Sequence, residues 1–278
     1  MMRLRKLFQT VESMDAETAK TFIQEHEEGT FTLLDVRQPS EYEEAHIPGA
    51  KLIPLPELHH SVKGLPPDRP IIVHCAVGGR SRVAAQLLSG LGFKEVYNLK
   101  GGIKAWQGLT ATGPTELNLD LVRGDETPAE IVALAYDMED CVQTFYNELH
   151  QRAEDPAVKE LFAKLASIEE KHKKTLLELS AQLQAPGSGP ETARADSGRI
   201  VLEGGFDMVE FMARNEPMLD TVPNVIELAM MLETQALDLY LRFAAKSADP
   251  KSKDVLFKIA HEEKAHLAAL GRLMGKKD

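Results

Sequence analysis

At 278 residues, 43% hydrophobic and 27% charged, the chain is long for one core and comfortable for two globular domains. Its formal net charge of -11 argues against a general binder of the nucleic-acid backbone, because that affinity is built on excess Lys and Arg. No apolar run approaches the ~20 residues that span a bilayer, and the basic start Met1–Phe8 lacks the apolar stretch of a secretory signal. The two cysteines, Cys75 and Cys141, lie far apart, which makes a reducing cytoplasm the expected compartment and a disulfide framework an unexpected one.

In chain order, a helix is predicted over Ala16–Glu27 and a strand over Phe31–Val36. The runs Ile71–His74 and Glu95–Leu99 read as further strands, brief and apolar as buried parallel strands are. Between them Ser81–Leu91 reads as a helix stopped by Gly92. This alternation predicts an α/β domain with a parallel sheet over residues 1–110. At the end of its second strand lies His74-Cys75-Ala76-Val77-Gly78-Gly79-Arg80-Ser81. Backbone N–H groups of such a loop converge on the sulfur, and the helix start behind it favours negative charge, so Cys75 is expected to carry a reactive thiolate. Gly78 and Gly79 permit the tight turn, while Arg80 is placed to pair with an anion or to fix the loop.

After a joint near Gln107–Asp125, residues 126–278 are nearly all helical in pattern. Thr127-Pro128-Ala129-Glu130 combines a capping box with proline at the first helical position. Asp155-Pro156 and Asp249-Pro250 repeat the cap-then-proline signal, and a fourth helix is predicted to begin around Pro223. The stretch Gln184–Gly205 reads as a break between two helical pairs, with a short helix expected within Phe206–Asn215.

The two pairs form an internal repeat of 94 positions: Glu139 matches Glu233, Tyr146 matches Tyr240, Glu169 matches Glu263 and His172 matches His266. Glu-x-x-His puts two ligands on one helix face, and a single Glu from each of the other helices completes the set of ferritin-like di-iron and di-manganese bundles. An all-α four-helix bundle is therefore expected to bind two metal ions through Glu139, Glu169, His172, Glu233, Glu263 and His266. Mixed carboxylate and imidazole donors suit iron or manganese, iron being the first expectation. Tyr146 and Tyr240, two turns beyond their Glu, are expected to donate hydrogen bonds to ligand carboxylates. Glu170, His261 and Glu262 fall on adjacent faces and read as surface. Cys141, two residues after Glu139, points away from it and reads as packing.

These residues resemble the rubrerythrin branch of the ferritin-like superfamily over Thr127–Gly275. The resemblance implies a non-haem di-iron centre acting on peroxide or dioxygen, with a homodimer in keeping with it. Two cysteines are too few for the rubredoxin iron site of rubrerythrins proper, so electrons are expected from an external donor. A further carboxylate of that family, one turn after the third-helix ligand, falls near Ala236, where no acid stands. The first domain resembles rhodanese over Phe8–Gly108. Leu34-Asp35-Val36-Arg37, Glu41-Tyr42, His46-Ile47-Pro48-Gly49-Ala50 and Gly101-Gly102-Ile103-Lys104-Ala105-Trp106 look like its signature stretches.

By resemblance, Cys75 takes a sulfane sulfur from a donor as a persulfide and passes it to a thiol acceptor. Ala76, Val77, Gly78, Gly79 and Ser81 form the cradle with Arg80, and Asp35 and Arg37 are a structural pair. Four residues separate Cys75 from Arg80, as in rhodaneses acting on sulfur, against five in the related phosphatase-like loops. Ala76 stands where many thiosulfate-using rhodaneses place Arg, which leaves a persulfide or another sulfane sulfur open as the donor. The expectation is a sulfurtransferase coupled to a di-iron oxidoreductase of peroxidase type. Its alternative is an iron-binding or sensing bundle whose rhodanese module docks a partner or delivers sulfur.

Overall fold

The computed structural model describes residues 11–183 and 201–275. Within them the chain divides into two compact units that meet in sequence between Leu117 and Asn118. Most of the expected break Gln184–Gly205 lies outside the described residues.

The first unit holds five strands, β1 (Glu12–Met14), β2 (Thr32–Asp35), β3 (Lys51–Leu52), β4 (Ile71–His74) and β5 (Val96–Leu99), all parallel and ordered β1-β5-β4-β2-β3. Its helices are α1 (Ala16–Glu25), α2 (Pro39–Glu44), α3 (Leu58–Ser61), α4 (Gly79–Gly90) and α5 (Gly102–Ala105). No periodicity marks β1 and β3, which are two or three residues long. Central β4 buries every residue, as expected of a strand covered on both faces. The loop after it leaves the carboxyl end of the sheet, where open α/β sheets place their sites.

Asp35 and Arg37 tie this end together. Arg37 donates from Nε to Oδ1 at 3.0 Å and from Nη2 to Oδ2 at 2.6 Å, and Nη2 also reaches the Ala45 carbonyl at 2.7 Å. Both side chains are buried, so either charge left alone would lie uncompensated in a low-dielectric interior.

The second unit is built on four long helices, α6 (Pro128–Arg152), α7 (Pro156–Leu183), α9 (Val222–Lys246) and α10 (Pro250–Met274), with α8 (Met208–Asn215) before the third of them. The three expected caps form, and Thr221 supplies a further one ahead of the helix expected around Pro223. Thr127 and Glu130 make a reciprocal capping box, and Asp155, Thr221 and Asp249 each accept from a first-turn amide.

The core of this unit is split in two. One apolar cluster takes Val142–Leu149 of α6, Val158–Ala166 of α7, Val225–Leu232 of α9 and Leu270 of α10. The other takes Ile131–Met138 of α6, Leu176 of α7, Ala236–Ala244 of α9 and Val255–Ala260 of α10. Between the two, every helix presents one buried glutamate: Glu139, Glu169, Glu233 or Glu263. The bundle is thus two apolar layers with one layer of acid between them.

Asp35→Ala strands the Arg37 guanidinium, and the first unit should lose about 3–5 kcal/mol of stability. Trp106 is the sole tryptophan and lies in that unit, so its fluorescence in a urea titration reads this loss apart from the helical ellipticity of the second unit.

Candidate metal centre and cysteine loop

Cys75 is 1% exposed at the base of its loop. The Gly78 amide donates to Sγ at 3.1 Å. Ser81 Oγ lies 3.5 Å from Sγ and 2.7 Å from Asn98 Oδ1; one hydroxyl proton serves one acceptor at a time, and Asn98 is nearer. Burial alone would raise the Cys75 pKa, but hydrogen bonds from Ser81, Val77 and Gly78 outweigh it and bring the thiol below its ordinary value. His74 contributes no charge beside it, since burial pushes its pKa down to about 4.

A second turn clamps the loop from below. Ile103 N–H donates to the Cys75 carbonyl at 2.8 Å and Lys104 N–H to that of Ala76 at 3.1 Å. This approach requires glycine at 102: φ is +60°, and a Cβ there would stand 2.2 Å from the Cys75 oxygen. Above the sulfur, Arg80 forms a two-pronged pair with Glu41 of α2, at 2.6 and 2.7 Å. That pairing holds the Glu41 carboxyl at about 2 and raises the guanidinium further. Arg80 is therefore already matched with an anion of the protein. Val77 and Gly79 are exposed on the rim, whereas Gly78 and Ser81 are buried.

Cys141 sits half-buried on α6 against one apolar cluster. Burial first, then Asp140 and Asp137, push its thiol up, which leaves the reactive role to Cys75.

In the acid layer of the second unit, Glu139, Glu169 and His172 bring one ligand atom each within 4.8 Å of one another, and so do Glu233, Glu263 and His266. His172 Nδ1 lies 2.8 Å from Glu169 and 3.5 Å from Glu139; His266 Nδ1 lies 3.1 Å from Glu263 and 3.4 Å from Glu233. The two imidazoles stack with ring centres 3.4 Å apart and planes 5° from parallel. The structure thus brings together all six residues that the repeat singled out. Glu139 and Glu233 each keep a buried oxygen with no hydrogen-bond partner, while Glu169 Oε2 and His172 Nδ1 face each other at 2.8 Å without hydrogen-bond alignment. Orphaned acceptors of this kind, converging with imidazole nitrogens, fit a pair of cations. A cavity of 230 Å³ reaches the layer between α7 and α10, with apolar Leu176, Leu179 and Ile259 on its wall and Lys258 and Glu262 beside them.

A family model for rubrerythrin matches residues 130–274, just over half of the chain, and one for the rhodanese-like domain matches residues 18–109. The chain belongs to the rubrerythrin family. Ahead of its rubrerythrin domain it carries a rhodanese-like domain. Curated relatives resemble part of this chain. They include the uncharacterised protein YqhL of Bacillus subtilis, 46% identical over 27% of this chain and 60% of its own length. The putative sulfur carrier protein YrkF of Bacillus subtilis is 41% identical over 29% and 44%. The thiosulfate sulfurtransferase GlpE of Ectopseudomonas mendocina is 38% identical over 30% and 74%. The chain thus spans 60% and 44% of the first two relatives' length. Among solved structures, a rhodanese-like domain protein of Staphylococcus aureus aligns at 27% identity and a TM-score of 0.33, over 34% of this chain and 91% of that one.

One buried acid of the rubrerythrin domain escaped the sequence pattern. Glu203, in a single 3-10 turn (Glu203–Gly205) ahead of α8, is 3% exposed, and its carboxylate lies within 4.8 Å of ligand atoms of Glu139 and Glu263. Tyr240 donates to Glu203 Oε1 at 2.7 Å, so its hydroxyl serves this fifth acid. Tyr146 is buried among aromatic rings, 6.3 Å from Phe162 and 5.6 Å from Phe145. Glu170, His261 and Glu262 are exposed, as expected of surface positions.

Burial, reinforced by the neighbouring acids, raises the carboxyls of Glu139, Glu203 and Glu263 well above 4.5. At Glu233 burial is opposed by His266 and Glu263, and the net shift is downward. A carboxyl raised in the folded state stabilises the fold below its unfolded value of 4.5 and loses that contribution as pH climbs toward the folded value. Chelator-treated protein should therefore melt progressively lower as pH climbs above 4.5, and protein loaded with divalent metal should lose much less. Thermal melts followed by helical ellipticity measure both; equal slopes would remove the charge conflict from the account.

Proposed function

We propose that this chain is a persulfide-forming sulfurtransferase joined to a non-haem di-iron oxidoreductase centre. The observation that carries the second half is the convergence of six Glu and His ligands on a buried layer in which Glu139, Glu169 and Glu233 each keep an oxygen without a hydrogen bond. Glu139, Glu169 and His172 would hold one ion, and Glu233, Glu263 and His266 the other. Bound there, two iron ions would supply the redox chemistry on peroxide or dioxygen that the family carries out. The protein's own residues do the rest. The apolar layers on either side exclude water, the stacked imidazoles wall the cavity, and the passage between α7 and α10 admits a small oxidant. With two cysteines in the chain, electrons come from an external donor.

In the rhodanese-like domain, the Cys75 thiolate attacks the outer sulfur of a sulfane donor. The Sγ–S bond forms, the donor's S–S bond breaks, and the donor leaves as a thiolate. Attack by an acceptor thiolate on the terminal sulfur then returns Cys75, with no net oxidant or reductant. The N–H groups of the loop hold the negative charge in both states. Donor choice follows from charge. Thiosulfate is a dianion, but Ala76 offers no cation and Glu41 already neutralises Arg80. A low-molecular-weight persulfide suits this cradle better, in contrast to the donor in the name of the Ectopseudomonas relative.

Cys75→Ser should abolish persulfide formation with a sulfane donor, while Cys141→Ser leaves it intact; mass spectrometry of the labelled persulfide reads both, and the reverse pattern would overturn the cysteine roles. Thiosulfate should serve at least about tenfold less well than a thiol persulfide, and Glu41→Gln, by freeing Arg80, should narrow that gap. Purified protein should contain about two iron or manganese ions per chain and change its optical spectrum on addition of peroxide. A folded bundle that takes up no metal would remove the di-metal assignment.

A further inference from the structure

Glu203 is not on a long helix, and no periodicity marks it, yet it is among the most deeply buried acids of the chain. Its position is built. Gly204 and Gly205 both adopt left-handed backbone, at φ +81° and +85°. A Cβ on Gly204 would stand 2.9 Å from Gln235 Cβ, and one on Gly205 would stand 2.1 Å from Asn118 Nδ2, so the turn lies against α9 on one side and Asn118 on the other because both residues lack a side chain. The turn is closed by Gly205 N–H to the Leu202 carbonyl at 2.9 Å and by Leu202 N–H to that of Phe206 at 2.8 Å. Asn118 pins it through the Gly204 carbonyl at 3.2 Å. The α9 residue beneath it is Ala236, fully buried and with a single methyl, which leaves room for a carboxylate from elsewhere.

A buried acid aimed at two other buried acids is unfavourable unless something positive lies between them. Tyr240 supplies one neutral hydrogen bond to one oxygen of Glu203, far short of balancing that charge. Glu139, one of the two acids it faces, also keeps an orphaned oxygen. We propose that Glu203 is a metal ligand, delivered by the connection between the helical pairs to the acid layer beside Glu139 and Glu263, where the two ions would meet. This inference rests on the two-metal reading above and adds a fifth carboxylate to it. It also ties a connection to the metal: Leu202–Phe206 is held by what the acid layer binds, so loading the centre locks this segment against α9. Tyr240 then acts as a positioning residue, fixing the rotamer of Glu203 through Oε1 and leaving the other oxygen for the ion.

The test uses the full chain, loaded without oxygen with ferrous iron alone, beside Glu203→Gln and Glu169→Gln. Metal content is counted and extraction by a coloured chelator is timed, so neither readout depends on turnover. Wild type should hold about two ions, and Glu203→Gln should release one of them at least about tenfold faster with its helical ellipticity unchanged. If Glu203→Gln matches wild type while Glu169→Gln loses iron, Glu203 is no ligand and the two-metal reading stands. If folded wild type takes up no iron, that reading itself falls. Should Glu203→Gln not fold, hydrogen exchange on wild type decides the matter. The hydrogen-bonded amides of Leu202 and Gly205 should exchange at least about tenfold more slowly with iron than without, and equal rates overturn the proposal.

Discussion

Everything in the second unit is arranged around one conflict, the burial of carboxylates at close range inside an apolar bundle. Each of the four long helices runs from one hydrophobic cluster to the other and crosses the acid layer once, with a single glutamate at the crossing. The apolar layers make the conflict severe, because they remove the water that would otherwise screen it. They also make it useful. A site that is dry, anionic and fixed by packing on both sides holds its donors at set distances before any cation arrives. A single helix sliding by one residue would turn its glutamate off the layer and misalign its apolar stripe with the clusters on either side, so packing and ligand geometry enforce the same register.

The legible and illegible parts of the sequence divide on the same physical line. Glu139, Glu169, His172 and their counterparts 94 residues on were readable because helices repeat regularly, so that spacing along the chain becomes position on a face. The caps Thr127, Asp155 and Asp249 were readable for a related reason: an N-terminal turn needs an acceptor at a fixed offset. Strands β1 and β3 were not, since two or three residues carry no period. Glu203 was hidden more thoroughly. It reaches the centre through a turn whose geometry depends on two left-handed glycines and on contacts with Asn118 and Gln235, remote in sequence. Nothing local marks such a residue, although Glu-Gly-Gly in a connection with no other role offered a faint signal. The apparent loss of an acid near Ala236 was a change of supplier: the helix position is vacant of charge and a neighbouring segment fills the space.

Arg80 shows another limit of the same reading. Its place after the cysteine loop left two roles open, binding an anionic substrate or fixing the loop, and sequence could not choose between them. The choice depends on Glu41, which is 39 residues away in the chain and brought opposite by the sheet. With both ends of the guanidinium engaged at 2.6 and 2.7 Å, the residue fastens α2 to the start of α4. Substrate binding would require breaking or sharing a charge-assisted pair.

The two sites thus solve one problem, stabilising negative charge away from water, by different means suited to the number of charges. Cys75 carries one charge, and a thiolate of that kind is held by backbone N–H groups whose donors exist already in the loop and need no counterion. Partial charges carry most of this because the sulfur is large and diffuse, and the Arg80 guanidinium, shared with Glu41, adds its own attraction. The acid layer concentrates several charges on small oxygen atoms, well beyond what dipoles can balance, and Tyr240 can offset only a fraction of one. Full cations are the remaining remedy. The same reasoning limits what each site accepts: the loop, with its cation already matched, has little to attract a dianion, whereas the acid layer is too negative to admit an anion until metal has offset its charge.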